Sequence, residues 1–113
     1  MTQDGNILML TDPDEFRATL AAKKYMVVYS YASWCGPCKF IAPFFAGLSV
    51  NPAYAHVQFV KINVEEAAEI AEQLEVTAMP TFYFYKNAEL LDKFSGASCD
   101  DLCVALDKLI AST

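Results

Sequence analysis

The chain has 113 residues, 55% of them hydrophobic and 19% charged, and its formal net charge is −6. This length allows one hydrophobic core and not two, so we expect a single domain over residues 1–113. The acidic charge argues against binding to nucleic acid or to an anionic membrane surface, and it favours less acidic partners.

The first half of the chain alternates between strand and helix signals. Residues 6–10 are typical of a short strand. Asp12, followed by a proline and two acids, predicts the start of a helix that runs to about Ala22. The uncharged aromatic and β-branched run Tyr25–Tyr31 predicts a strand that is buried on both faces. A second helix should follow the cysteine pair, with a kink at Pro43.

The second half adds two more strand signals and a final helix. Val57–Val64 is predicted as a strand and Glu65–Leu74 as a short helix. Thr81–Tyr85 and Glu89–Phe94 lie close enough to pair as a hairpin. Its turn contains Lys86, Asn87 and Ala88, and the last of these stands where glycine is commonest, which leaves the turn type open.

The last helix has both a start signal and an apolar stripe. Ser98 and Asp101 resemble a capping box. The stripe comprises Leu102, Leu106, Leu109 and Ile110. Alternating strands and helices, followed by a hairpin and a helix, predict an α/β domain with a mixed, twisted sheet between helices.

The segment Trp34-Cys35-Gly36-Pro37-Cys38 follows the buried strand directly and carries most of the functional information. A Cys-x-x-Cys pair at a strand-to-helix junction can cycle between dithiol and disulfide. Unpaired N–H groups at the helix N-terminus favour a thiolate on the first sulfur. The alternative is a pair of inert buried cysteines.

The chain has four cysteines, which leaves a disulfide framework or a zinc site to consider. A chain this apolar needs no stapling, and cytosolic thiols are normally kept reduced. Zinc would require Cys35 and Cys38 to meet Cys99 and Cys103 across most of the second half of the chain. We therefore expect no metal site, and we assign no role to His56, the only histidine.

Several further segments occur in order along the chain with this motif: Trp34–Lys39, Pro43, Lys61–Val64, Met79–Thr81, Lys86–Asn87 and Phe94–Ala97. Together, and in their spacing, they resemble the thioredoxin family from about residue 7 to residue 110. The resemblance implies the thioredoxin fold, a central mixed five-stranded sheet flanked by four helices. It also implies the reduction of protein disulfides.

By this resemblance Cys35 is the attacking thiolate and Cys38 the resolving thiol. Attack on a client disulfide gives a mixed disulfide through Cys35, which Cys38 then breaks. Because only two residues separate the sulfurs, this second step is intramolecular and fast. Gly36 and Pro37 form the tight turn, and Lys39 lies in the first turn of the helix.

The resemblance also implies a docking surface around Cys35. Pro80 would be a cis-proline, and Met79 would present its backbone to an extended client segment. From the residues alone, Pro80 merely starts an edge strand. Trp34, Gly96 and Ala97 would complete an apolar rim together with Pro37, for which ordinary packing is the alternative.

The chain departs from the family at Tyr29, because members of the family usually have a buried Asp at this position. The lysine that pairs with that Asp in the family is present here as Lys61. Tyr29 and Tyr31 share a strand face and should both point beneath the cysteine pair. A phenol cannot act as a base at neutral pH, so Tyr29 can only donate a hydrogen bond or relay through water. Lys61 must then reach solvent. We expect slower deprotonation of Cys38; the alternative is that Tyr29 is a core aromatic without influence on rate.

Cys99 and Cys103 lie one helical turn apart, too far for an internal bridge in a regular helix. Neither is expected to have a redox role. The alternatives are a disulfide between two chains and glutathionylation of Cys99. We expect a monomer, with a dimer linked through Cys99 as the other case.

The predicted function is a disulfide reductase recycled by a thioredoxin-reductase-like flavoprotein, and flavin and NADPH belong to that partner. One alternative is a client-binding adaptor with weak turnover, which the missing Asp favours and the intact cysteine pair opposes. An oxidase or isomerase is the third, disfavoured because Gly36-Pro37 is the reducing-type pair by family resemblance.

Residues 1–10 have no basic segment ahead of an apolar one, unlike a secretory signal, and no apolar run approaches ~20 residues. The cytoplasm is the expected compartment, without membrane association.

Overall fold

The computed structural model describes residues 5–112. Residues 1–4 and Thr113 lie outside that range. The two ends of the predicted domain, and part of the segment compared with a secretory signal, are therefore not described. Within it are five strands, β1 (Ile7–Met9), β2 (Tyr25–Tyr31), β3 (Val57–Asn63), β4 (Thr81–Lys86) and β5 (Glu89–Ser95). The α-helices are α1 (Pro13–Ala22), α2 (Gly36–Ser49), α3 (Ala68–Gln73) and α4 (Cys99–Ala111), and Pro52–Tyr54 forms a 3-10 turn. None of these helices has both the length and the apolar character needed to span a membrane.

The sheet has the order β1-β3-β2-β4-β5 and is mixed. β1 and β2 run parallel to β3, whereas β4 is antiparallel to both β2 and β5. β2 is therefore the central strand, and its register places Tyr29 between Lys61 of β3 and Phe82 of β4. This is the predicted five-stranded architecture.

Alternate residues of β2 enter two separate cores, as a strand buried on both faces requires. Val27 and Tyr29 pack with residues of α2 and α4. Met26 and Val28 pack on the opposite face, where α1 supplies Phe16. The predicted burial of Tyr25–Tyr31 on both faces is confirmed.

The helix predicted for Glu65–Leu74 begins three residues late, at Ala68. The side-chain oxygen of Asn63 accepts hydrogen bonds from the backbone N–H groups of Glu65 at 2.9 Å and Glu66 at 3.4 Å. An asparagine side chain that satisfies nearby backbone donors competes with helix formation. Residues 64–66 form a turn instead, so the predicted helix start is wrong.

The predicted caps of the other helices are present. Asp12 accepts from the N–H of Asp14 at 3.1 Å and begins α1. The hydroxyl of Ser98 accepts from the N–H of Asp101 at 3.1 Å and begins α4. α2 continues through Pro43 without ending there, and the kink at that residue stays a prediction.

Candidate active site

Cys35 and Cys38 are joined by a disulfide at the N-terminus of α2, with their Cα atoms 5.3 Å apart. Cys35 is the N-cap residue, and its sulfur accepts a hydrogen bond from the N–H of Cys38 at 3.1 Å. The N–H of Cys35 donates in turn to the carbonyl of Ala32, 3.2 Å away. Ala32, the residue after the buried strand β2, therefore anchors the turn, and the helix directs an N–H group at the first sulfur.

This geometry distinguishes the two sulfurs chemically. After reduction, negative charge on Cys35 lies at the positive end of the α2 dipole and receives a charge-assisted hydrogen bond from Cys38. Both cysteines are buried, with Cys35 5% and Cys38 2% exposed, so their position at the helix N-terminus and not their exposure distinguishes them. The arrangement stabilises a thiolate on Cys35 and keeps Cys38 within reach of the same sulfur.

The loop before β4, which contains Met79 and Pro80, also approaches the disulfide. The carbonyl oxygen of Met79 lies 3.7 Å from the Cys35 sulfur, and the peptide bond between Met79 and Pro80 is cis. The carbonyl of Pro80 accepts from the N–H of Gly96 at 2.9 Å. The Thr81 hydroxyl bonds to the carbonyl of Ala78 at 2.7 Å. These contacts bring the segments around Met79 and Gly96 to the cysteine pair.

The surface around Cys35 is mostly apolar. Trp34 is 66% exposed, Gly36 and Pro37 are exposed, and Lys39 is exposed one turn further along α2. Met79, Gly96 and Ala97 are half-buried. Each predicted docking residue thus lies on the loops or helix start that surround the disulfide.

Two residues that the sequence analysis did not single out support this surface. Ser33 donates to one carboxylate oxygen of Glu65 from its N–H at 3.3 Å and from its hydroxyl at 2.9 Å. This double contact ties the residue before Trp34 to the turn after β3. A serine and a glutamate so far apart in the sequence carry no local signal that they meet.

Tyr29 lies beneath the disulfide, as its strand position predicted, and its hydroxyl donates to the carbonyl of Cys38 at 2.8 Å. Its ring stacks on Tyr31 and on Phe82, with centroids 5.1 and 5.3 Å apart. Burial, with a smaller contribution from Tyr31, raises the pKa of the Tyr29 hydroxyl far above its usual range. The group therefore stays protonated at neutral pH, and the hydrogen bond to Cys38 occupies its proton.

A cavity of about 210 Å³ opens beside Tyr29 between the sheet and α2. Its lining includes Tyr31, Cys38, Lys39 and Lys61. The half-buried Lys61 carries its ammonium 5.9 Å from the centre of the Tyr31 ring, a cation–π distance. Lys61 therefore faces an aromatic ring at the wall of the cavity that Cys38 also lines.

Cys99 and Cys103 are free and half-buried against the core on the α4 side. Burial, and after it Asp107, raises the pKa of the Cys103 thiol. Cys103 therefore has the opposite of an activated environment. Among residues 5–112 no three His, Cys, Asp or Glu side chains cluster as metal ligands would.

Comparison with known proteins gives one consistent result. The thioredoxin family model matches residues 7–108. Thioredoxin from Ophiophagus hannah is 44% identical over 104 residues, which cover 90% of this chain and 97% of the relative. The structure of Malassezia sympodialis thioredoxin has a TM-score of 0.86 at 36% identity, covering 92% of this chain and 93% of that one. For oxidised mitochondrial thioredoxin 3 of Saccharomyces cerevisiae the TM-score is 0.85 at 41% identity, covering 91% and 95%.

A mixed sheet whose central strand leads into a helix capped by a disulfide defines a thiol-disulfide oxidoreductase of the thioredoxin fold. The disulfide is the redox-active group, and the proteins it acts on are disulfide-bearing clients. The chain belongs to the thioredoxin family. The predicted fold and the predicted oxidoreductase function are confirmed.

Proposed function

We propose that this thioredoxin works as a reductant of client proteins, with Cys35 as the attacking sulfur and Cys38 as the resolving one. The hydrogen bond from the Cys38 N–H to the Cys35 sulfur, 3.1 Å long at a helix N-terminus, carries this assignment. It favours the thiolate that must attack first. Cys38 has no comparable donor among the contacts described above.

Reduction of one client disulfide needs no reactant other than the dithiol of this chain. The Cys35 thiolate attacks a client disulfide, forms a mixed disulfide and releases one client thiolate. The Cys38 thiol loses its proton and attacks the Cys35 sulfur, which forms the internal disulfide and releases the second client thiolate. Two electrons pass to the client, and an external reductant must return them.

We propose that this reductant is a thioredoxin-reductase-like flavoprotein that carries the flavin and accepts electrons from NADPH. The chain would then act as an electron carrier in cellular redox homeostasis. A cytoplasmic location fits this role, because a reducing glutathione pool maintains free thiols such as Cys99 and Cys103. Clients would dock on the apolar surface formed by Trp34, Met79 and their neighbours.

The first test is reduction of insulin driven by dithiothreitol, with wild type compared with Cys35→Ser. We expect turnover by wild type and none above the dithiothreitol background by the variant. Cys38→Ser that is reduced beforehand and mixed with insulin after the dithiothreitol has been removed should instead accumulate a mixed disulfide through Cys35, visible as a heavier band on a non-reducing gel. A wild-type rate equal to that of dithiothreitol alone would contradict the proposal and favour a client-binding adaptor. The presence of Tyr29 in place of an acid also favours that alternative.

A further inference from the structure

The solvent side of α2 differs from that of every other helix described here. The exposed positions of α1, α3 and α4 each include at least two charged residues, whereas the only charge on α2 is Lys39. The centre of its exposed side is entirely uncharged. We name this surface the α2 stripe, and it comprises Gly36, Phe40, Pro43, Gly47 and Val50.

The α2 stripe exposes large apolar groups that a solvated helix face does not need. Phe40 is 67% exposed and Val50, at the helix end, is 56% exposed. The opposite side of α2 already supplies the core with Ile41, Phe45 and Leu48. The helix is thus apolar on two sides, and among residues 5–112 only the core side is covered.

The spacing of the α2 stripe is that of a helix-packing seam. Its members follow one another at intervals of four, three, four and three residues, as along any line on a helix; because all of them are uncharged, a second helix can interdigitate along this line. The seam extends about 21 Å along α2, at 1.5 Å per residue. Two of its members are glycines at which an added Cβ would meet nothing within 4 Å, so an incoming helix can approach the backbone closely.

The α2 stripe is also continuous with the surface that the reaction itself requires. Gly36 belongs both to the stripe and to the active-site turn, between Cys35 and Pro37. Any client must reach the Cys35 sulfur, so a client segment that leaves its disulfide along α2 runs directly over the stripe. Lys39 flanks this path and would face a carboxylate on the client helix.

We propose that the α2 stripe docks an amphipathic helix of the client, and that it selects folded proteins whose disulfide lies at one end of such a helix. This inference rests on the proposed reductase function. A client without the helix is still reduced, but it binds more weakly. Selection therefore acts on KM more than on kcat.

Two synthetic peptides test the proposal. Each carries a disulfide ring followed by a four-turn helix with one glutamate; one has leucines at the four-three spacing, and its twin has glutamines there. For wild type we expect a KM about tenfold lower for the leucine peptide, which corresponds to ~1.4 kcal/mol. In Gly47→Glu and in Gly47→Lys the leucine peptide should lose this advantage.

Gly47 suits this test because a Cβ added there meets nothing within 4 Å, and because Glu and Lys form helices better than Gly. Gly47→Ala adds one methyl group to the stripe but no charge, so its KM for the leucine peptide should stay well below that of either charged variant. Ala18→Glu adds the same charge as Gly47→Glu on the exposed side of α1 and should behave like wild type. Thermal unfolding of each variant verifies that it is folded.

Four results would overturn the proposal. Equal KM values for the two peptides with wild type would show that the stripe docks no helix. A loss of affinity with only one of the two charges at Gly47 would indicate simple electrostatics. A wild-type dimer that Gly47→Glu converts to a monomer in sedimentation would assign the stripe to a second copy, and Gly47-dependent binding to phosphatidylcholine vesicles would assign it to lipid. Failure of wild type to reduce either peptide would instead refute the reductase function itself.

Discussion

Tyr29 changes the chemistry expected beneath the resolving cysteine. An ionised acid at this position could accept a proton, whereas the phenol donates its own proton to the carbonyl of Cys38. Its raised pKa and its buried position between Tyr31 and Phe82 keep it neutral. The proton of Cys38 must therefore leave by another route than Tyr29, and Cys38 and Lys61 both line the cavity beside that tyrosine.

Replacing Tyr29 by Asp should accelerate the resolution step several-fold. A carboxylate near Cys38 can take the proton of the thiol, and general-base assistance of this kind is worth about 10²-fold or more when the geometry is good. The protein itself should lose stability, because the stacked ring is buried. Stopped-flow measurement of client release after mixing with excess disulfide isolates the rate of this step.

Tyr29→Phe provides the matched control for this prediction. It removes the hydroxyl, adds no base and keeps the stacked ring. It should cost roughly 1 kcal/mol of stability for the lost hydrogen bond and should not accelerate resolution. An Asp variant that resolves no faster than wild type would mean that Tyr29 is a core aromatic without influence on the rate.

At the scale of elements, the β4–β5 hairpin contains the clearest local strain. Asn87 and Ala88 form its two-residue turn with φ angles of 51° and 68°. Asparagine tolerates this left-handed region, whereas a Cβ makes it costly for alanine. Both strands extend one residue further than predicted, to Lys86 and Ser95. Because Lys86 pairs with Glu89, only Asn87 and Ala88 remain in the turn.

Ala88→Gly should therefore stabilise the protein by about 1 kcal/mol, because glycine adopts this backbone conformation without the Cβ penalty. Urea unfolding of the oxidised protein measures the change. Ala88→Val is the opposite control and should destabilise, since a β-branched residue fits this region worse than alanine. Equal stability of all three proteins would show that the turn relaxes at no cost.

A second inter-element contact responds to pH. Tyr54, in the 3-10 turn, donates to a carboxylate oxygen of Asp107 on α4 at 2.7 Å. This hydrogen bond, and then burial, raises the pKa of Tyr54 from 10.0 to about 12. The folded state holds the proton where the unfolded chain releases it. The contribution to stability is complete below pH 10 and is lost as the pH rises through about 12.

The difference in stability between wild type and Tyr54→Phe isolates this contribution from the other tyrosines. Wild type should be the more stable protein near neutral pH, and its advantage should shrink above pH 10, the ordinary pKa of the phenol. Urea midpoints at a series of alkaline pH values measure it. An advantage that stays constant up to about pH 12 would contradict the assignment.

At the scale of the whole molecule, the net charge of −6 acts on every encounter with a client. Acidic side chains lie on the exposed sides of α1, α3 and α4, whereas the active-site end of α2 has Lys39 as its only charge. Long-range attraction therefore favours basic clients, whereas the surface around Cys35 that they would contact is mostly apolar.

The kcat/KM for a basic client protein should fall as ionic strength rises from about 0.01 to about 0.15 M, over which the Debye length shrinks from about 30 to about 8 Å. For an acidic client the value should rise over the same range. A small neutral disulfide is the control and should show no trend. The same salt dependence for the basic client, the acidic client and the neutral disulfide would show that long-range electrostatic attraction does not affect kcat/KM.

Several features that depend only on residues close together in the sequence were predicted correctly from local patterns. The caps at Asp12 and Ser98, the buried strand Tyr25–Tyr31 and the cysteine pair at a helix start all lie where the sequence predicts them. The start of α3 was wrong because one side chain, Asn63, satisfies the backbone groups of the turn and delays the helix.

The amino-acid sequence by itself determined the class of fold, the redox pair and the departure at Tyr29, since each is a matter of periodicity, motif or residue type. Only the tertiary structure decided what those residues touch. It brought the carbonyl of Met79 to the sulfur of Cys35 and the hydroxyl of Tyr29 to the carbonyl of Cys38. It also decided which apolar side of α2 is buried and which is left as the α2 stripe. Such contacts depend on how the whole chain packs, and no local pattern of residues records them.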